Sequence, residues 1–288
     1  MDLVTNRWNT HDLADAAKLH PSLEAGDVIV GDRAFGSYAH LCLVLQANLH
    51  AVCRLHQRVI ADFRPRRRAR GQHPKGQRRG KPGSRFVKKL GPTDQLVAYL
   101  KPKTRPCWMS AQAFAQLPGA VTLRELRYAV TRPGFRTRQV TLITTLLDPR
   151  KYSKTALAQL YQARWQIEIN LRHLKHTMKM DVLRCKTVEG VHKELWVYVL
   201  VYNRVRLLML DAAQRQGVTP DRVSFADALD ALRYRRRREL ASVLLLVNPL
   251  RPDRCEPRVI KRRQDRYTYM TRPRDQLRQL LGLTRIAA

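Results

Sequence analysis

Tyr161-Gln-Ala-Arg164-Trp-Gln-Ile-Glu168-Ile-Asn-Leu-Arg-His-Leu-Lys175 is the stretch on which the reading of this chain turns. Wound as an α-helix at about 100° per residue, it gathers Tyr161, Arg164, Glu168 and Lys175 within about 60° of arc. Leu160, Ala163, Ile167, Leu171, Leu174 and Met178 form a separate stripe spaced by threes and fours, the face such a helix would bury. The neighbouring face then presents a carboxylate between two cations and a phenol. A carboxylate that holds a divalent metal, flanked by phosphate-binding groups, is the layout phosphodiester chemistry requires. The same residues also admit a plainer reading. Arg164 and Glu168 stand four apart, the spacing of a surface ion pair worth about 0.2–0.5 kcal/mol.

Working outward, Val28-Ile-Val30 is a β-branched run between Gly26 and Gly31, which predicts a buried strand with Asp32 at its C-terminal end. Carboxylates at strand ends commonly line α/β active sites, although Gly-Asp-Arg alone reads as a turn. A short helix is expected over Asp12 to Leu19, with Thr10 as N-cap and Pro21 at its end. A helix over Tyr38 to Gln46 and a strand over His50 to Leu55 follow Asp32. Strands are expected at Gln95–Leu100, Leu123–Val130 and Gln139–Leu146, with Pro133-Gly134 turning between the last two. After Asp148-Pro149 one helix should run from about Lys154 to Met178. A second should span Val188 to Ala213, with Leu195, Val199, Tyr202, Val205 and Leu208 facing the core, until Gly217 to Pro220 breaks it. A third, Phe225 to Leu246, carries Arg233 and Arg235 to Arg238. A short final helix is expected near Arg274 to Leu281.

The balance of 55 Lys+Arg against 23 Asp+Glu gives a net charge of +32 on 288 residues. A surplus of that size implies a polyanionic partner, because each neutralised phosphate releases counterions. Charge alone would equally suit an RNA-associated protein. Residues 64 to 89 concentrate it, with Arg66, Arg67 and Arg68 among Gly, Pro and Gln and without apolar periodicity, so this stretch reads as a cationic loop against DNA backbone. The five cysteines are scattered without a Cys-x-x-Cys pair, which suits reduced thiols, some of them in the core. Val243 to Val247 is too short to cross a bilayer. A cytoplasmic, nucleoid-associated chain with no membrane partner is expected.

The spacing Tyr161-x2-Arg164-x3-Glu168-x6-Lys175 is similar to the Y-R-E-K motif of DDE transposases of insertion sequence family four. Gly26-Asp27-Val-Ile-Val-Gly31-Asp32-Arg33-Ala-Phe35-Gly-Ser-Tyr38 resembles the block around that family's second catalytic Asp. Pro257 to Arg263 and Arg266 to Arg274 resemble its basic C-terminal tail. The resemblance implies an α/β fold: a partial RNase H-like catalytic core interrupted by a β-rich insertion, with a helical, basic C-terminal part. The corresponding divisions are 1–58 and 149–215 for the core, 59–148 for the basic loop and insertion, and 216–288 for the remainder.

The resemblance also implies the roles. Asp32 and Glu168 would be catalytic metal ligands for Mg²⁺ or Mn²⁺ in a two-metal site. Tyr161, Arg164 and Lys175 would grip the transposon-end strand. Double-stranded DNA, both transposon ends and target, would be the partner, with a homodimer in a synaptic complex. Trp165 lies off the apolar stripe and is read as a packed core residue in preference to a base-stacking one. The family's first catalytic Asp has no counterpart among Asp2, Asp12, Asp15 and Asp27, so the chain reads as N-terminally truncated and inactive alone, with marginal solubility from unpaired strand edges. The competing reading is a non-catalytic DNA-binding protein derived from a transposase.

Overall fold

The computed structural model describes residues 2–6, 10, 12–56, 59, 61–64, 84–130, 139–234, 242–250 and 276. The chain divides into two compact units, Met1–Tyr128 with Gln139–Leu207 and Ala129–Arg138 with Leu208–Ala288.

The first unit is a mixed α/β structure on a six-stranded sheet of order β1-β2-β6-β5-β4-β3. β1 (Val28–Gly31) and β2 (His50–Arg54) pair in parallel through the crossover helix α2 (Tyr38–Gln46). β6 (Gln139–Thr144) then runs antiparallel to β2. β3 (Ser84–Gly91), β4 (Asp94–Leu100) and β5 (Ala120–Ala129) complete the sheet, with antiparallel β3–β4 and β4–β5 pairs. The strands of the expected insertion therefore extend the sheet that carries Asp32.

The core lies where apolar residues of α2 (Leu41, Val44) meet those of the central strands (Ala51, Cys53, Val97, Leu123, Ile143). Three consecutive β2 residues, Ala51, Val52 and Cys53, are fully buried, as a strand covered on both faces requires. Cys42 and Cys53 are buried free thiols, while Cys107 and Cys185 are exposed; Cys255 lies outside the described residues.

Several sequence expectations need correction. α1 (Asp12–Ala16) ends early and continues as a 3₁₀ turn, Ala17–Ser22, that takes Pro21 inside it. The far end of the expected basic loop is β3, so Arg85, Lys88 and Lys89 lie on an edge strand. Its register shift between Phe86 and Lys88 and its exposed cations suit an edge that must resist further pairing. Helix α3 (Ala111–Gln116), capped by the Ser110 side chain, is an element the sequence expectations lack.

The expected helix over Lys154–Met178 is broken. α4 (Lys154–Ala163) starts where expected, with Ser153 as N-cap, and α5 (Gln166–Arg172) follows after two residues. Across the break the bonds tighten to the i→i−3 pattern: Arg164 N–H to Tyr161, Trp165 to Gln162, Ile167 to Arg164 and Glu168 to Trp165. A π turn, His173–Thr177, then unwinds the chain. Of the apolar stripe only Leu174 and Met178 are buried; Leu160, Ile167 and Leu171 are exposed, and Trp165 is 51% exposed rather than packed.

α6 (Val188–Arg215) buries Val199, Tyr202, Val205 and Leu208 as its spacing predicts. It stops at Gly217, whose φ of +62° lets Val218 N–H return to the Ala213 carbonyl at 3.0 Å.

In the second unit, α7 spans Phe225–Tyr234 among the described residues, and residues 235–241 of the longer expected helix lie outside them. Residues 242–250 are not helical: Val247 bridges antiparallel to Val223, and Val243 and Leu245 are buried while Leu244 and Leu246 are exposed. That alternation by two is extended backbone, which a continuous apolar run conceals. The expected final helix, Arg66 to Arg68, Arg235 to Arg238 and the basic tail lie outside the described residues, apart from Gln276.

Candidate active site

Gly31 closes β1 opposite Cys53 of β2. A Cβ there would stand 2.6 Å from Phe35 Cβ and 3.2 Å from Cys53 Sγ, so the turn needs glycine. The next residue, Asp32, accepts the Ala34 N–H at Oδ1 (2.9 Å), which folds the turn back on itself and leaves the carboxylate exposed at the strand's C-terminal end.

The other half of the site comes from the tightened helix. Tyr161 is half-buried on the last turn of α4, and the Arg164 guanidinium lies 5.9 Å from its ring centroid. Arg164 Nη2 donates to Glu168 Oε1 at 3.2 Å. The Glu168 side chain is 43% exposed. Burial pushes the Tyr161 phenol above its ordinary value; Arg164 and Arg54 pull it down, and Asp32 pushes it up further. Asp32, Arg54 and Arg164, the last of which holds Glu168, are thus the charges that act on this phenol. Lys175 is exposed on the π turn, and none of Tyr161, Arg164 or Glu168 is its hydrogen-bond partner.

Sequence reasoning missed Arg54 and Tyr128. Arg54 ends β2, and its charge acts on the phenols of both Tyr161 and Tyr128; burial raises Tyr128, with Tyr161 adding to the rise. A cavity of about 270 Å³ opens beside them, lined in part by Arg33, Arg54, His56, Arg127, Gln139 and Thr141. Arg127 is already held there, by Thr141 Oγ1 at 3.0 Å and the Ala61 carbonyl at 3.2 Å. Single arginines at the ends of apolar strands carry no spacing signal, so only the sheet could bring them together.

The family described as Transposase DDE domain matches residues 2–204. The chain belongs to the DDE transposases. It is 34% identical over 202 residues to Transposase InsG for insertion sequence element IS4 of Escherichia coli K12, a match covering 63% of this chain and 43% of that relative. It is also 30% identical over 118 residues to Putative transposase y4zB of Sinorhizobium fredii NGR234, covering 40% and 32%. The chain spans less than half the length of the curated relatives it matches.

DDE transposases are polynucleotidyl transferases that act on DNA and generally use a divalent metal. The donors in this DDE transposase chain suit such an ion chemically. Asp32 and Glu168 carry hard carboxylate oxygens, and in each only one of them is engaged among the described residues. No group of three or more His, Cys, Asp or Glu side chains gathers at metal-holding range among the described residues. None of the described helices is long and apolar enough to cross a membrane.

Proposed function

We propose that this chain binds the ends of a transposable DNA element, with Asp32 and Glu168 offering oxygen ligands to Mg²⁺ or Mn²⁺ and Tyr161, Arg164, Arg54 and Lys175 holding the strand. The observation that supports it is the Arg164 guanidinium, 5.9 Å from the Tyr161 ring centroid and 3.2 Å from Glu168 Oε1, in a chain that belongs to the DDE transposases. A divalent cation bound there would polarise a phosphodiester and lower the pKa of an attacking water or hydroxyl.

The protein's own part is positional. The Arg164 fork suits bidentate contact with phosphate, and Lys175 acts as a point charge. In free protein Arg164 neutralises Glu168; on binding DNA it can turn to a phosphate and free Oε1 as a ligand. Two carboxylates are one short of the set that two-metal strand transfer uses, so this polypeptide alone should bind without turning over.

The test is Mn²⁺ binding followed by electron paramagnetic resonance, beside a supercoiled-plasmid nicking assay. Mn²⁺ uptake lost in both Asp32→Ala and Glu168→Ala, with no nicking, supports the reading. Robust Mg²⁺-dependent nicking by the purified chain overturns it. The net charge of +32 favours a second reading, metal-independent binding to any duplex. Equal affinity for all sequences, unchanged in Glu168→Ala, would select it.

A further inference from the structure

The helix that carries Tyr161, Arg164 and Glu168 has little hydrophobic support. Leu157 is the one buried residue of α4, and α5 has none. Burial resumes only at Leu174 and Met178. Something else must fix the angle at which α4 leaves the sheet. The polar contacts at its first turn supply this.

Arg124 of β5 is wholly buried. Its Nε and Nη2 donate to Asp94 Oδ1 and Oδ2 of β4 at 2.8 and 2.5 Å. Its third arm, Nη1, donates to the Tyr152 carbonyl at 2.6 Å, immediately before the Ser153 N-cap. A second tie comes from Lys154, the first residue of α4, whose Nζ donates to Thr93 Oγ1 at 2.6 Å. Thr93 Oγ1 in turn donates to the Arg127 carbonyl on β5 at 2.8 Å. Both ties join the start of α4 to the same end of the β4–β5 pair.

We propose that Arg124, forked onto Asp94, is a positioning residue for the Tyr161–Glu168 site. The proposal rests on the functional reading given above. α4 is a lever on which Tyr161 stands about 10 Å from the start, so a tilt of about 10° there moves it by about 2 Å. Misplacement by about 1 Å is enough to cost catalytic groups most of their effect. A buried ion pair is a weak device for stability, since a well-packed apolar pair can often replace it without loss; what it gives is direction. The neighbour Glu125 provides the contrast. It is also wholly buried, but it accepts from Gln95 (2.8 Å), Tyr99 (3.2 Å) and Ser84 (3.5 Å), all on β3 and β4. Those bonds run within the sheet.

The experiment compares the wild-type chain with Asp94→Leu/Arg124→Met, Arg124→Lys and Glu125→Gln. It reads amide hydrogen exchange over residues 153–163, Mn²⁺ affinity and the melting temperature. The apolar double variant is expected to speed exchange across α4 about tenfold, beyond any change in β4 and β5, and to weaken Mn²⁺ binding about tenfold. Arg124→Lys keeps the charge opposite Asp94 but is too short to reach Tyr152 as well, and serves if the double variant fails to fold; it should loosen α4 at a native-like melting temperature. Glu125→Gln should leave α4 exchange and Mn²⁺ affinity unchanged.

Wild-type exchange across α4 in the double variant or in Arg124→Lys overturns the proposal, as does equal loosening in Glu125→Gln. Failure of the wild type to bind Mn²⁺ would remove the metal-site reading, and with it the functional meaning of the anchor. The exchange data would then still decide whether Arg124 fixes α4.

Discussion

Two residues outside the candidate site, Gly31 and His40, pack against the turn that presents Asp32. At Gly31 the space for a side chain is already taken by Phe35 and Cys53. Gly31→Ala should therefore shift the Asp32 turn and cost about 1–3 kcal/mol, the usual range for overpacking, read as a lower denaturant midpoint. His40 contacts the same turn through Phe35. It is 1% exposed, its Nδ1 contacts the Phe35 carbonyl at 2.8 Å, and its ring lies 5.5 Å from the Phe35 ring and 5.6 Å from His20. Burial holds its imidazole below the ordinary 6.5, with the Phe35 carbonyl opposing and His20 assisting; burial lowers His20 as well. The unfolded chain therefore takes up these protons at a higher pH than the native one, and protonation favours unfolding. Stability should be intact above about pH 7 and fall as the pH drops through 6.5 toward the lower native values. Thermal melts between about pH 7.5 and 5 should show this fall, and His40→Gln should lessen it.

At the scale of elements, the regular pieces were legible and the irregular ones were not. β1, α2, β2 and the start of α4 follow from Gly punctuation, β-branched runs and the break at Asp148-Pro149, all of them local signals. The break at Arg164–Trp165 left no such signal, because no Gly or Pro marks it and the 3₁₀ tightening is only partly offset by the π turn. Periodicity assumes one constant twist, and this helix changes twist twice around the residues of interest. β3 was hidden for a different reason: an edge strand takes its cations from the need to discourage pairing, so its composition reads as loop. Exposure within the helix gives a direct check. Leu157→Ala should cost about 2–4 kcal/mol, as for a buried leucine, whereas Ile167→Ala, at 54% exposure, should cost less than about 1 kcal/mol. Urea midpoints of the two variants would order them, and equal losses would mean that the Ile167 face is covered in solution.

For the molecule as a whole, charge is the property most visible in the sequence and least tied to one site. Residues 65–83 hold eight Lys and Arg and no Asp or Glu. A segment of that composition gains little from burial and much from phosphate, since each phosphate it neutralises releases condensed counterions. The residues of the candidate active site, by contrast, are few, with Arg164 already committed to Glu168. The two contributions should separate in a salt titration of duplex binding. The slope of log affinity against log salt changes by about 0.9 for each phosphate the protein ceases to neutralise. Replacing Arg66, Arg67 and Arg68 by Gln should therefore flatten it by about 2–3 and weaken all duplex sequences alike. Glu168→Ala, which removes no cation, should leave the slope unchanged while abolishing Mn²⁺ uptake. If the triple variant kept the wild-type slope, the cationic segment would have no part in holding the phosphate backbone, and the surplus charge would have to act elsewhere on the chain.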